Sequence, residues 1–254
     1  MTQHLYAEWT KLRTLPGTGR LLLALVMLTV AVSVAAAAVV SCTSSGCGYD
    51  PAKISLFGIQ AGQAVVAILA VPAISGEFST GMIRTTLAAM PGRISVLAAK
   101  AVILTGLTLA AGSVAVLASA LAGQRILLDN GFTPESLALT SGPMLRAAFG
   151  SVLYLALIAL FSLGIATAVR DSATAIGVVL GLLYLFPAII LMAPDADVAE
   201  LLWQISPMNA GLAVQATTHL SSLPLSPWAG LGVLAAWATA ALLGGGLLLR
   251  ARDA

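Results

Sequence analysis

Reactive side chains are scarce in this chain, and most of them crowd into one stretch. Between Ile74 and Lys100, ISGEFSTGMIRTTLAAMPGRISVLAAK, fall Glu77, Arg84, Arg93 and Lys100. A hydroxyl can accept from the open N–H groups of a first helical turn, so Ser79 or Thr80 is expected to cap a short helix there. Met82, Ile83, Thr86, Leu87 and Met90 recur at the spacing of one helical face. Pro91-Gly92 then ends the helix and turns the chain. The pattern is that of an amphipathic helix at a membrane surface, suited to contact with a soluble partner. The plain alternative is an ordinary connecting loop.

Other candidates are few. Gln60 and Gln63 lie one turn apart inside an apolar run, and buried amides seek a partner helix or a wet cavity. Tyr184, Phe186 and Met192 flank Pro187, which should kink its helix; packing is the commoner role for such side chains. The only cysteines, Cys42 and Cys47, frame a Ser/Gly turn and would make a disulfide hairpin on an oxidising side, with free thiols as the alternative. Two cysteines with no histidine nearby cannot complete a tetrahedral zinc site, so no metal site is expected.

Hydrolytic and nucleotide chemistry lack their parts. His4 and His219 lie outside the apolar runs, and no H-E-x-x-H occurs. A phosphate-cradling loop needs Gly-Lys before a hydroxyl. The only lysines, Lys11, Lys53 and Lys100, follow Thr10, Ala52 and Ala99. No ionisable residue falls near the middle of an apolar run, which disfavours a proton-coupled relay. The chain is not expected to be an enzyme, nor to carry a cofactor.

The elements that must position these residues are membrane spans. Of 254 residues, 59% are hydrophobic and 9% charged, and the mean hydropathy is +1.00. Soluble domains carry roughly 25% charged residues. Six runs are long enough for a bilayer core of about 30 Å, roughly 21–40, 55–75, 96–122, 145–169, 173–193 and 227–249. The expected fold is all-α, one membrane domain over 1–254 with six spans.

Residues 4–16 place Leu5, Trp9 and Leu12 on one face and Glu8, Thr10 and Lys11 on others, as suits an interfacial helix. Thr105, Thr108, Gly112 and Ser119 permit close packing of the third span. Residues 123–144 are expected to be a loop with a short helix after Thr133-Pro134. The fourth and fifth spans, joined by Val169 to Ser172, form a tight antiparallel pair. Gly177 and Gly181 have small-xxx-small spacing. Residues 194–226 hold short surface or re-entrant helices. With the N-terminus cytoplasmic, nine cations (Lys11, Arg13, Arg20, Arg84, Arg93, Lys100, Arg170, Arg250, Arg252) lie inside and three (Lys53, Arg125, Arg146) outside, as the positive-inside rule favours. Both termini are then cytoplasmic.

Several of these segments together resemble a known family. E-W-T-K-L-R at Glu8 to Arg13, E-F-S-T-G-M-I-R-T-T-L at Glu77 to Leu87 and P-G-R at Pro91 to Arg93 with Lys100 carry the likeness. S-P-M-N-A-G at Ser206 to Gly211 and R-x-R-D at Arg250 to Asp253 extend it over nearly the whole chain. The chain resembles the permease subunits of the type-2 ABC exporter family, whose architecture is that of type V exporters.

The resemblance implies an interfacial helix over 4–16 and a coupling helix in the 76–95 stretch. Glu77, Ser79, Thr80, Arg84, Leu87, Met90 and Arg93 would then face or support the ATPase. It implies short extracytoplasmic helices over 194–226 and a dimeric pathway lined by spans two and five, where Gln60, Gln63, Tyr184 and Phe186 stand. The implied partners are two copies of a cytoplasmic ATPase, which carry ATP and Mg, a second permease copy or a paralogue, and membrane lipid; nucleic acid is not among them. The implied location is the bacterial cytoplasmic membrane, and the Ala/Gly bias suits a GC-rich genome. The implied cargo is a hydrophobic or amphipathic, drug- or antibiotic-like compound. A non-transporting scaffold or sensor partner is the rival reading.

Overall fold

The computed structural model describes residues 6, 8–11, 16–42, 48–82, 92–132, 141–192 and 194–251. The described residues are helical, with no strand among them. They form α1 (Pro16–Ala38), α2 (Pro51–Ser55), α3 (Ile59–Ala70), α4 (Pro72–Ser79), α5 (Arg93–Asp129) and α6 (Gly142–Val169). There follow α7 (Ser172–Leu180), α8 (Phe186–Ile190), α9 (Ala196–Ile205), α10 (Pro207–Leu212) and α11 (Pro227–Ala251). Six stretches are long and apolar enough to cross a membrane: Gly17–Ala38, Ile59–Ser79, Arg93–Asp129, Gly142–Val169, Ser172–Ile190 and Pro227–Ala251.

Helix α6 is the centre. In its most apolar window 67% is buried, against 22% in the first and fifth spans. It packs on α3, α5, α7 and α11, and its Tyr154, Leu155, Ile158 and Phe161 are fully buried. The outer spans turn apolar side chains such as Leu23, Met27, Leu185 and Ile189 outward. That distribution suits a bundle solvated by lipid, where exposing leucine costs little.

Proline placement shapes two spans. The second breaks at Val71 and restarts at Pro72, because proline has no N–H to continue the ladder. In the fifth, Pro187 is preceded by a π-helical turn, Gly181–Leu185, which joins α7 to α8. A wider turn there relieves the ring's clash with the carbonyl four residues back.

Three expectations change. The second span runs on to Ser79 and the third begins at Arg93, so both ends of the 76–95 stretch belong to spans, while residues 83–91 lie outside the described residues. Ser79 and Thr80 both donate to the Gly76 carbonyl, at 3.1 and 2.8 Å, and so brace the last turn of α4; the helix they were expected to cap falls on residues outside the described ones. Gly81 then turns the chain with a φ of +69°, a conformation glycine adopts without strain. The third span does not stop near 122: its 37 residues reach Asp129, about 55 Å at 1.5 Å per residue. Polar residues at 124, 125 and 129 sit on that projecting end, so polarity alone mistook helix for loop.

Close packing also lies elsewhere than expected. Gly177 and Gly181 have nothing within contact distance of an added Cβ. The intimate crossing is between α6 and α11, where a Cβ on Gly164 would stand 2.5 Å from the Ala241 backbone and one on Gly245 2.6 Å from the Gly164 carbonyl. Thr108, Gly112 and Ser119 are buried as expected of a packed third span. The turn between α6 and α7 is tight: Arg170 takes a φ of 64°, and Asp171 caps α7 by accepting from Thr174 N–H at 2.8 Å.

Candidate functional site

Two regions hold organised polar groups, one at each end of the bundle. At the end carrying Arg20, Arg93, Arg170 and Arg250, four charges from three segments meet. Lys100 lies about 10 Å into α5, seven residues past its start. Its Nζ reaches Glu8 Oε2 at 2.6 Å and Glu77 Oε1 at 2.7 Å. Lys11 Nζ reaches Glu8 Oε1 at 2.9 Å and the same Glu77 oxygen at 3.0 Å. The quartet is formally neutral.

Glu8, Glu77 and Lys100 are 1%, 4% and 2% exposed. Ions so removed from water persist only when paired, and each of these three has an opposite charge within 3 Å. Glu77 Oε2 is buried with no hydrogen-bond partner among the described residues. Burial pushes the Lys11 ammonium down, but its bonds to Glu8 and Glu77 outweigh that and hold it above the ordinary lysine range. The N-terminal segment is thereby fastened to the ends of α4 and α5, the two helices flanking residues 80–92.

Glu8 and Lys11 turn inward to the quartet, and Trp9 is 44% exposed, so the charged face is the docked one. Leu5, Leu12 and Arg13 lie outside the described residues, as do Arg84, Leu87 and Met90. Arg93 donates to the Leu249 carbonyl at 2.9 Å, tying α5 to the end of α11. Arg170 sits 5.0 Å over the Phe78 ring, one residue beyond Glu77.

At the opposite end a cavity of about 570 Å³ opens between α1, α2, the start of α3 and the α9–α10 helices. Lys53, Phe57, Gln60, Trp203, Asn209 and Gln215 line it. Its walls are apolar and aromatic, with amides and one ammonium. Such a mixture suits an amphipathic molecule with a polar or anionic group toward Lys53. Asp50 braces this end: besides capping α2, it accepts from Thr217 Oγ1 at 2.7 Å and from Thr218 N–H at 3.0 Å.

The four expected lining residues separate. Gln60 lines the cavity, and its carbonyl accepts from the Tyr184 hydroxyl. Gln63 is fully buried inside the protomer and does not line it. Its carbonyl oxygen accepts from Tyr154, and its amide reaches Met208 Sδ at 3.3 Å. Gln63 thus takes the partner-helix alternative, joining α3, α6 and α10. Phe186 is half-buried in α8 and does not line the cavity. Cys42 is disulfide-bonded, and its backbone N–H donates to the Asn130 carbonyl at 3.0 Å; Cys47 lies outside the described residues.

Sequence reading passed over Glu8, Tyr154, Met208 and Asp50. Glu8 carried a usable signal, an acid on the same short segment as Lys11, three residues away. Tyr154 carried none, since it stands in an apolar run; Met208 stands in the S-P-M-N-A-G run, where nothing pointed to Gln63. Among the described residues no cluster of metal-ligating side chains occurs. Compared with known proteins, the chain matches no family model and no curated sequence.

Proposed function

We propose that this chain is the membrane permease subunit of an ATP-driven exporter, acting as a dimer with a separate cytoplasmic ATPase. The observation that carries the reading is the Glu8–Lys11–Glu77–Lys100 quartet. It locks three segments into one body around residues 80–92, at the end where the cations accumulate. A partner pushing on a connection between two locked spans moves both spans; a slack loop would absorb the push. Residues Ser79 to Met90 are the contact in this reading, with Arg84 and Leu87 against the ATPase and Glu77 holding the geometry.

The cavity at the far end gives a hydrophobic or amphipathic cargo a place to lodge on its way out. Energy comes from the second subunit, because the sequence lacks a phosphate-cradling loop of its own. The type-2 ABC exporter resemblance supplies the expected stoichiometry of two permeases and two ATPases in the bacterial cytoplasmic membrane.

The test is copurification from native membranes followed by reconstitution. A P-loop ATPase should copurify, and Leu87→Asp should weaken that association or uncouple ATP hydrolysis from export in proteoliposomes. Burying an apolar side chain such as leucine contributes about 1.5–3 kcal/mol, and the new carboxylate adds its dehydration. Copurification of a kinase or regulator with no ATPase would favour the scaffold reading and defeat this one.

A further inference from the structure

Two further cavities belong to neither site. Between α5 and α11, at the end marked by Arg93 and Arg250, lies an apolar groove of about 460 Å³. Leu97, Ala98, Val102, Leu243, Gly246 and Leu247 form its walls, and Arg250 stands at its mouth. A polar cavity of about 370 Å³ shares Ile94 and Arg250 with it and adds Arg93 and Ser95. The two adjoin at Ile94 and Arg250, an aliphatic trough beside a pocket lined by guanidinium groups.

We propose that this groove holds one anionic phospholipid, its phosphate at Arg250 and an acyl chain between α5 and α11. Ala98, Ala101 and Gly246 leave room between its larger aliphatic walls. A Cβ on Gly246 would already stand 3.4 Å from Ile94 Cδ1 and 3.7 Å from Leu97 Cδ2, so any longer side chain there occupies the groove. From Arg250 to Leu243 is seven residues, about 10 Å along a helix, which reaches from the headgroup layer into a hydrocarbon core of roughly 30 Å. Val102, Leu243 and Leu247 are 54%, 63% and 65% exposed, so the trough opens sideways, where lipid lies.

Charge selects the headgroup. Among the described residues no carboxylate lines either cavity, and both include Arg250. The Arg250 side chain is exposed and makes no hydrogen bond or ion pair among the described residues. Arg93 donates to the Leu249 and Arg250 carbonyls at 2.9 and 3.4 Å, and so holds the last turn of α11 in place against α5. Basic pockets between spans at the headgroup level favour anionic lipids. A second copy of the chain is a poor occupant, because a two-fold contact through this groove would set Arg250 against its own image. The proposal needs no assignment of which leaflet this end faces, and it stands apart from the transport reading.

The experiment is native mass spectrometry of the full chain released from nanodiscs of phosphatidylethanolamine, phosphatidylcholine and phosphatidylglycerol in equal parts. One phosphatidylglycerol should persist at collision energies that strip the other two. Arg250→Gln, an exposed change that leaves the fold intact, should weaken its retention about fivefold, and Arg250→Lys should restore most of it. Gly246→Leu should abolish retention by filling the trough, with helicity by circular dichroism unchanged. Equal retention of all three lipids, unaltered retention in both Arg250→Gln and Gly246→Leu, or displacement by millimolar inorganic phosphate would overturn the proposal. Disulfide cross-linking between copies through Val102→Cys would do the same and assign the groove to a second chain.

Discussion

Lys100→Met isolates the role of the buried quartet. Methionine keeps the apolar stem of lysine and removes its ammonium. Two contacts go with it, at 2.6 Å to Glu8 and 2.7 Å to Glu77. At an effective dielectric constant of about 20, each contact is worth roughly 6 kcal/mol of gross attraction, most of it offset by the dehydration of the ions. What decides the net effect is the remainder: two carboxylates, 1% and 4% exposed, sharing the single ammonium of Lys11. Removing one partner of a buried pair costs about 3–5 kcal/mol. Lys11 stays within 3.0 Å of both acids, which places the expected loss near the lower bound, about 3 kcal/mol. For a chain of this size that is a fall of about 6–12 °C in Tm, read by size-exclusion of heated detergent samples.

The double variant Glu77→Gln/Lys100→Met leaves Glu8 and Lys11 as a neutral pair. It should recover about half of the loss, a positive coupling of the kind contacting residues show. A Lys100→Met protein melting within about 1 °C of wild type, or a double variant losing the sum of the two singles, would refute the claim that these ions act as one unit.

Four further outcomes are expected. Asp50→Ala removes the α2 cap and the bonds to Thr217 and Thr218, and should cost about 2 kcal/mol in detergent–SDS titrations. Gly164→Leu should fail to fold or lose well over the 1–3 kcal/mol typical of overpacking, since its Cβ meets the Ala241 backbone rather than a movable side chain; Gly177→Ala, in open space, should gain up to about 1 kcal/mol in helix propensity. Gln63→Leu leaves the fully buried Tyr154 hydroxyl without its acceptor, so it should cost about 1–3 kcal/mol, recovered by adding Tyr154→Phe. Impermeant thiol labelling of intact cells should modify Glu135→Cys and spare Arg84→Cys; the reverse result would invert the orientation.

The amino-acid sequence by itself determined the membrane class, the six spans and the sorting of cations toward the two ends. Each of these is a local property. About 20 apolar residues in a row need nothing else to demand a bilayer, and the order of runs fixes which cations share an end. Short polar turns such as Val169 to Ser172 were legible for the same reason. So was Glu77, singled out among the few reactive side chains, which the structure bonds to Lys100.

Only the tertiary structure decided which groups meet. Glu8 and Lys100 are 92 positions apart, and Gln63 and Met208 are 145 apart; nothing in either neighbourhood names the other. The small-residue spacing pointed to Gly177 and Gly181, yet the helices touch at Gly164 and Gly245. Spacing shows where close approach is permitted, whereas the crossing of two helices depends on the surfaces both present. The ends of the second and third spans were misread because helix continues wherever backbone bonds are satisfied, through polar residues as readily as apolar ones. Apolarity therefore marks the part of a helix that lipid requires, and packing decides how far the helix runs beyond it.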